Sequence, residues 1–175
     1  SDWSSDVCSS DLPDTNSVYF AVNLSGANTP YFDPFARGAL IGISRGTTKA
    51  HIVRATLEGI AFGIADIMET TESKSNIHMK NIKIDGGASK NDFLAQAMSD
   101  VIGCEIYRPE ITDGTALGAA LISALGAGMF TEDELPDPMK YDHIFSPQIG
   151  KEEREEKMYF YKKAVSSSLG WLKTN

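Results

Sequence analysis

The stretch Ile84–Phe93, IDGGASKNDF, sets two adjacent glycines between a run that reads as a β-strand and one that reads as a helix. A strand-to-helix turn needs a single left-handed residue, so the second glycine asks for another reason, such as something other than a side chain lying close to the main chain. On the strand side, Asn81–Asp85 is predicted as extended. On the helix side, Ser89 and Asp92 have the spacing of a capping box, opening a helix that carries Leu94, Ala97, Met98 and Val101 and stops at Gly103. In α/β sheets ligands bind beyond the carboxyl ends of strands, where helix N-termini suit a phosphate or a nucleotide. Gly87 would let an adenosine lie flat against the backbone, and Asn91 would offer its amide to base or ribose. A plain tight turn accounts for the same residues equally well, and the spacing alone leaves both readings open.

Working outward, Val18–Val22 is predicted as a strand, followed by an irregular loop rich in Gly, Asn, Pro and aromatics. Ala39–Ser44, apolar without alternation, reads as a strand inside a sheet. A long helix follows from about Ala50 to Thr71, with Val53, Leu57, Ile60, Ile64 and Ile67 forming one apolar stripe. Downstream, Glu105–Pro109 reads as a short strand, and Asp113 or Thr115 opens a helix of small residues, TALGAALISALGAG. There Gly118, Ala119 and Ala120 allow close approach, with packing on a neighbouring helix the plainer use and a bound ligand the other. Thr131–Gly150 reads as irregular, and a last amphipathic helix carries Met158, Tyr161, Val165, Leu169 and Leu172. Strands alternating with helices at these lengths mean α/β with much parallel pairing. No repeat or linker divides residues 13–175, which are expected to form one domain. Residues 1–12, SDWSSDVCSSDL, have no period, and their end back-translates to a common sequencing-adapter end. They are read as a non-native or disordered tail.

At 175 residues and 42% hydrophobic, the chain can bury a core of ordinary size. Its net charge of −8 and the lack of a basic run speak against a nucleic-acid partner. No run approaches the ~20 apolar residues of a membrane span, and the start lacks a secretory layout, so a cytoplasmic protein is expected. Cys8 and Cys104 make no disulfide framework, and Cys104 reads as a buried small hydrophobe. His51, His78 and His143 lack metal-ligand spacing, and Ser25 and Ser89 lack a histidine partner or nucleophile elbow. The Glu152, Glu153, Glu155, Glu156 cluster reads as a solvated helix start. Arg37 and Arg45 flank the second strand, with a surface or loop-anchoring role the plainer use and a phosphate contact the other.

The blocks TPYFDPFARGALIGISRGTTKAHIVRATLEGIAF and IKIDGGASKNDFLAQAMSDVIGCEIYRPEITDGTALGAALISALGAGMF resemble the C-terminal domain of the FGGY carbohydrate kinases, and among them the glycerol kinase branch, from about Thr15 to Trp171. The resemblance implies an actin-like ATPase, ribonuclease H-like α/β domain, one of two that close on ATP. It assigns nucleotide contact to Gly87 and Asn91, with Gly86 and Ala88 shaping the same wall. It also implies that the phosphate loop, the polyol-binding residues, the aspartate general base and the Mg2+ that travels with ATP belong to sequence preceding this stretch. No catalytic residue is therefore assigned here, and the chain is expected to be an ATP-binding fragment, inactive without an N-terminal kinase domain, with a homo-oligomer left open. LSGANTPYFDP, with Phe32 where tryptophan is expected, has a xylulokinase flavour, whereas RPEITDGTALGAA and the closing helix favour the glycerol kinase branch. A non-catalytic actin-like nucleotide module is the remaining alternative, though such modules lack the PYFDPFARG loop.

Overall fold

A computed structural model describes residues 12–75, 77–134 and 140–174. The expected tail, Cys8 included, lies outside them except for Leu12, whose carbonyl accepts a hydrogen bond from Arg54. In chain order the elements are β1 (Tyr19–Ala21), β2 (Ala39–Ile41), α1 (Lys49–Ser75), β3 (Asn81–Lys83), a 3-10 turn at Gly87–Lys90 and α2 (Asp92–Ile102). After them come β4 (Glu105–Pro109), α3 (Gly114–Gly126), a short 3-10 turn at Glu132–Glu134, β5 (Tyr141–Phe145) and α4 (Lys151–Ser166).

The strands form two small sheets, an antiparallel β1–β2 ribbon and a three-stranded sheet in the order β3–β4–β5. Among the described residues only β3 and β4 pair in parallel, with Ile82 opposite Ile106, so parallel pairing is less extensive than expected. β5 falls in the stretch read as irregular, where the acidic, proline-containing approach hides the five residues YDHIF. They pair antiparallel with β4, Phe145 opposite Ile106. Among the described residues β2 is not an inside strand: it pairs there with β1 alone, and Ile41 and Ile43 are 40% and 59% exposed. It ends where Gly42 turns into the left-handed region at φ +91° with its α-carbon against the Ser17 carbonyl.

α1 is the spine, packed against α2 and against β1 and α4. Its buried face is Ala55, Glu58, Gly59, Ala61, Phe62, Ala65 and Asp66. The expected aliphatic stripe is only half-buried, with Ile67 exposed, because α1 is gripped from two sides and small residues let both neighbours come close. Phe62 stacks on Tyr161 of α4 at 5.2 Å and meets Tyr19 of β1 at 5.9 Å. Leu94, Met98, Val101, Ile106, Phe145 and Val165 complete the core. In α4, Tyr161 and Val165 point inward as predicted, whereas Leu172 lies beyond the helix end and is exposed. Cys104 is buried, and that burial pushes its thiol pKa up. No helix among the described residues is long and apolar enough to cross a membrane.

Candidate functional site

The glycine pair leads from β3 into α2, and its two members have different reasons to be glycine. Gly86 has φ +90° and ψ 176°, a conformation that a side chain rarely tolerates. Gly87 has no such φ, and an added β-carbon there would meet nothing within 4 Å. Among the described residues, neither its backbone nor its neighbours require glycine at this position. Gly87 and Ala88 are exposed, and Gly86 is half-buried.

The turn is held from several directions. The Ser89 hydroxyl, itself buried, donates to the Gly86 carbonyl at 2.6 Å, and the Asn91 amide donates to the Ala88 carbonyl at 3.1 Å. The expected capping box of Ser89 and Asp92 does not form. Asn91 is the cap instead: its Oδ1 accepts from the Leu94 amide at 3.0 Å, an arrangement a short polar side chain makes readily just before a helix. Asn91 thus has its side-chain carbonyl fixed toward α2, on a residue that is itself exposed.

Asp92 turns to Arg108 of β4, whose Nη1 donates to Asp92 Oδ1 at 2.6 Å and to the Ser89 carbonyl at 3.1 Å. The same guanidinium reaches Asp142 of β5 through Nε at 2.8 Å and Nη2 at 2.7 Å, and lies 5.3 Å from the centre of the Phe145 ring. The hydrogen bond to Asp92, with that to Asp142, holds its pKa above the ordinary arginine value. Arg108 therefore ties the turn, the start of α2 and the β4–β5 pair together. At the other side of the turn, Asp85 accepts from the Gly86 amide at 2.6 Å and from the Gly114 amide at 3.0 Å. Neither role of Asp85 and Arg108 was read from the sequence. Asp85 follows β3 and Arg108 lies on β4, and nothing in their local sequence marks either as a partner of the turn.

Beside the turn lies an apolar hollow of about 260 Å³, lined by Ile84, Ile111, Leu117, Gly118 and Leu121. The small residues of α3 face this hollow and solvent, not a neighbouring helix: α3 buries no residue, and a β-carbon at Gly118 would meet nothing within 4 Å. Close packing within the described residues is thus not what they serve. Asp113 opens α3 as expected, accepting from the Ala116 amide at 3.2 Å.

The remaining candidates stay apart. His51 bonds Thr48, His78 lies near Glu72 and His143 packs on Phe145, and no three metal-ligating side chains converge among the described residues. The described residues therefore do not fit a protein-held Mg2+ site. Arg37 anchors its own loop through the Pro34 and Ala36 carbonyls. That loop is fixed again where Tyr31 bonds the buried Asp66. Burial first, and then this bond, push the Tyr31 pKa well above the ordinary tyrosine range.

Comparison with known proteins gives these features a lineage. Residues 2–127 match the FGGY family of carbohydrate kinases, C-terminal domain. The chain is 42% identical over 168 residues to a glycerol kinase of Citrifermentans bemidjiense and 43% identical over 164 residues to glycerol kinase 2 of Sulfolobus acidocaldarius. These alignments cover 96% and 93% of the chain but 34% and 33% of the relatives, so the chain spans about a third of their length. The structure superimposes on Plasmodium falciparum glycerol kinase, solved with ADP, with a TM-score of 0.81 at 30% identity, covering 92% of this chain and 32% of that one. The fold is that of the C-terminal domain of the actin-like ATPase sugar kinases, and the chain belongs to the FGGY family of carbohydrate kinases.

Proposed function

We propose that this chain is the nucleotide-side domain of a glycerol kinase, forming one wall of an ATP cleft around Gly86, Gly87, Ala88 and Asn91. The carrying observation is Gly87, a glycine that neither its own backbone nor any neighbour in the chain requires, at the carboxyl end of a strand. The Plasmodium relative, solved with ADP, supports a nucleotide as the group that uses the space. In the complete enzyme the reaction is transfer of the γ-phosphoryl of Mg-ATP to a terminal hydroxyl of glycerol, catalysed by positioning and charge neutralisation. This chain contributes the placement of the base and ribose. The general base, the polyol contacts and the Mg2+ environment come from an N-terminal kinase domain, so the 175 residues alone turn over no glycerol. Orientation of two substrates is worth ~7–11 kcal/mol, and one domain cannot provide it.

Saturation-transfer NMR with ADP tests the wall directly, since it detects weak binding and reads which ligand protons touch the protein. Transfer is expected at the adenine and ribose protons, weakened about tenfold or more, ~1.4 kcal/mol, by Gly87→Arg. That variant keeps its fold, because the β-carbon enters open space. Equal transfer from wild type and Gly87→Arg would refute the assignment.

A further inference from the structure

The Asp85 carboxylate divides its two oxygens between two separate segments: Oδ1 accepts from the Gly86 amide at 2.6 Å, and Oδ2 accepts from the Gly114 amide at 3.0 Å. The same Gly86 amide also lies 3.1 Å from the Thr112 carbonyl. The approach is close: a β-carbon on Gly114 would stand 2.4 Å from Oδ2, so an alanine there would push the carboxylate off the Gly114 amide. Gly114 has no left-handed φ, so its backbone does not ask for glycine, whereas keeping the Asp85 bond does. α3 buries no residue, which leaves these bonds at Thr112–Gly114 to join its start to the glycine turn. An acid that merely closed its own turn would place no such demand on a residue 29 positions away.

We infer that Asp85 is a positioning residue that pins the glycine turn to the first residue of α3, so that the nucleotide wall and the α3 side of the hollow keep one fixed geometry. This rests on the nucleotide reading above. The carboxylate acts through the turn, with both oxygens committed to main-chain donors.

The test uses the 175-residue chain with Asp85→Ala, Asp85→Asn, Gly114→Ala and the Asp85→Ala/Gly114→Ala double variant. Two readouts are taken well below melting: hydrogen exchange of the Gly86 and Gly114 amides without ligand, and ADP affinity by saturation-transfer titration. Each of Asp85→Ala and Gly114→Ala is expected to speed exchange at both amides by about tenfold and to weaken ADP several-fold, the scale of one charge-assisted hydrogen bond. Asp85→Asn, which keeps one acceptor oxygen, falls between them and wild type. The double variant should be no worse than the poorer single, because both changes break the same bond. Additive losses in the double variant, or unchanged exchange in Asp85→Ala, overturn the pin. Faster exchange with unchanged ADP affinity overturns the positioning role. Should wild type show no transfer from ADP, the nucleotide reading fails and takes the positioning role with it, while exchange still judges the pin. If Gly114→Ala does not fold, the two Asp85 variants carry the same decision.

Discussion

Replacing Gly59 by alanine should destabilise the chain, although the same change in an ordinary helix interior stabilises by ~1 kcal/mol. Gly59 lies in α1 where it crosses β1. An added β-carbon would sit 2.5 Å from the Phe20 carbonyl oxygen, 3.2 Å from Val22 Cγ2 and 3.3 Å from Phe20 Cβ. Bringing the first of these to 3.0 Å means opening the α1–β1 contact by half an ångström, 3.0 minus 2.5. A gap of that order forfeits about a quarter of the dispersion well for every atom pair across it, and overpacking of this kind costs ~1–3 kcal/mol. Subtracting the gain in helix propensity leaves a loss of up to ~2 kcal/mol, with ~1 kcal/mol at the middle of the range. At ~2–4 °C per kcal/mol for a chain of this size, that midpoint lowers the melting temperature by about 2–4 °C. Gly118→Ala is the matched control, since its β-carbon meets nothing within 4 Å and it should raise stability by ~0.5–1 kcal/mol. Thermal and urea melts followed by far-ultraviolet circular dichroism compare the two. A Gly59→Ala chain that melts at or above wild type would refute the claim that β1 presses on bare backbone.

Arg108→Met removes two ion pairs with carboxylates that are 76% and 53% exposed, each worth ~0–1 kcal/mol, together with the bond to the Ser89 carbonyl, ~1.5 kcal/mol, and the contact with the Phe145 ring, ~0.5 kcal/mol. A loss of about 2–4 kcal/mol is expected in urea titration. A loss below ~0.5 kcal/mol would mean that Arg108 behaves as a surface charge. Alkaline pH should unfold the chain through its buried tyrosines. Burial, with Glu58 adding to it at Tyr19 and Asp66 at Tyr161, raises both phenols from 10.0 to about 12. Their contribution is complete below the unfolded value near 10 and is lost as the pH climbs through 12. Phenolate absorbance should therefore show these tyrosines ionising only in step with unfolding. Ionisation of all six near pH 10 with intact circular dichroism would contradict this.

What the sequence revealed, and what it hid, follows from the range of the interactions. β4, α2 with its Gly103 stop and α3 with its Asp113 cap were legible because propensity, cap and stop residues act within a few positions. The buried face of α1 was misread because apolar periodicity rewards large aliphatics, whereas a helix gripped from two sides needs Gly59, Ala61 and Ala65. β5 was missed because YDHIF is extended by its pairing with β4, a partner more than thirty positions upstream. At the site, the residues of the turn were all visible, and the error lay in which side chain caps α2. Ser89 and Asn91 are both good caps, and the choice fell to Asn91 because the chain makes a 3-10 turn before α2 begins, with the Ser89 hydroxyl turned back to Gly86.

The two glycines answer the question they raise in different terms. Gly86 is explained by local conformation, and a turn with that glycine alone would be complete. Gly87 is left over once the demands of the described residues have been met, and the proposed nucleotide is what would use it. Its usefulness to a ligand depends on not moving, which a four-residue 3-10 turn cannot ensure by itself. Here Arg108 reaches the turn from β4 and Asp85 joins it to α3, so the bare stretch of backbone is fixed by charged side chains borne on the strand ends behind it. In the proposed reading, the wall meets the nucleotide at position 87 with bare main chain. It discriminates by shape, so enlarging position 87 should weaken nucleotides of every base together instead of changing the preference among them.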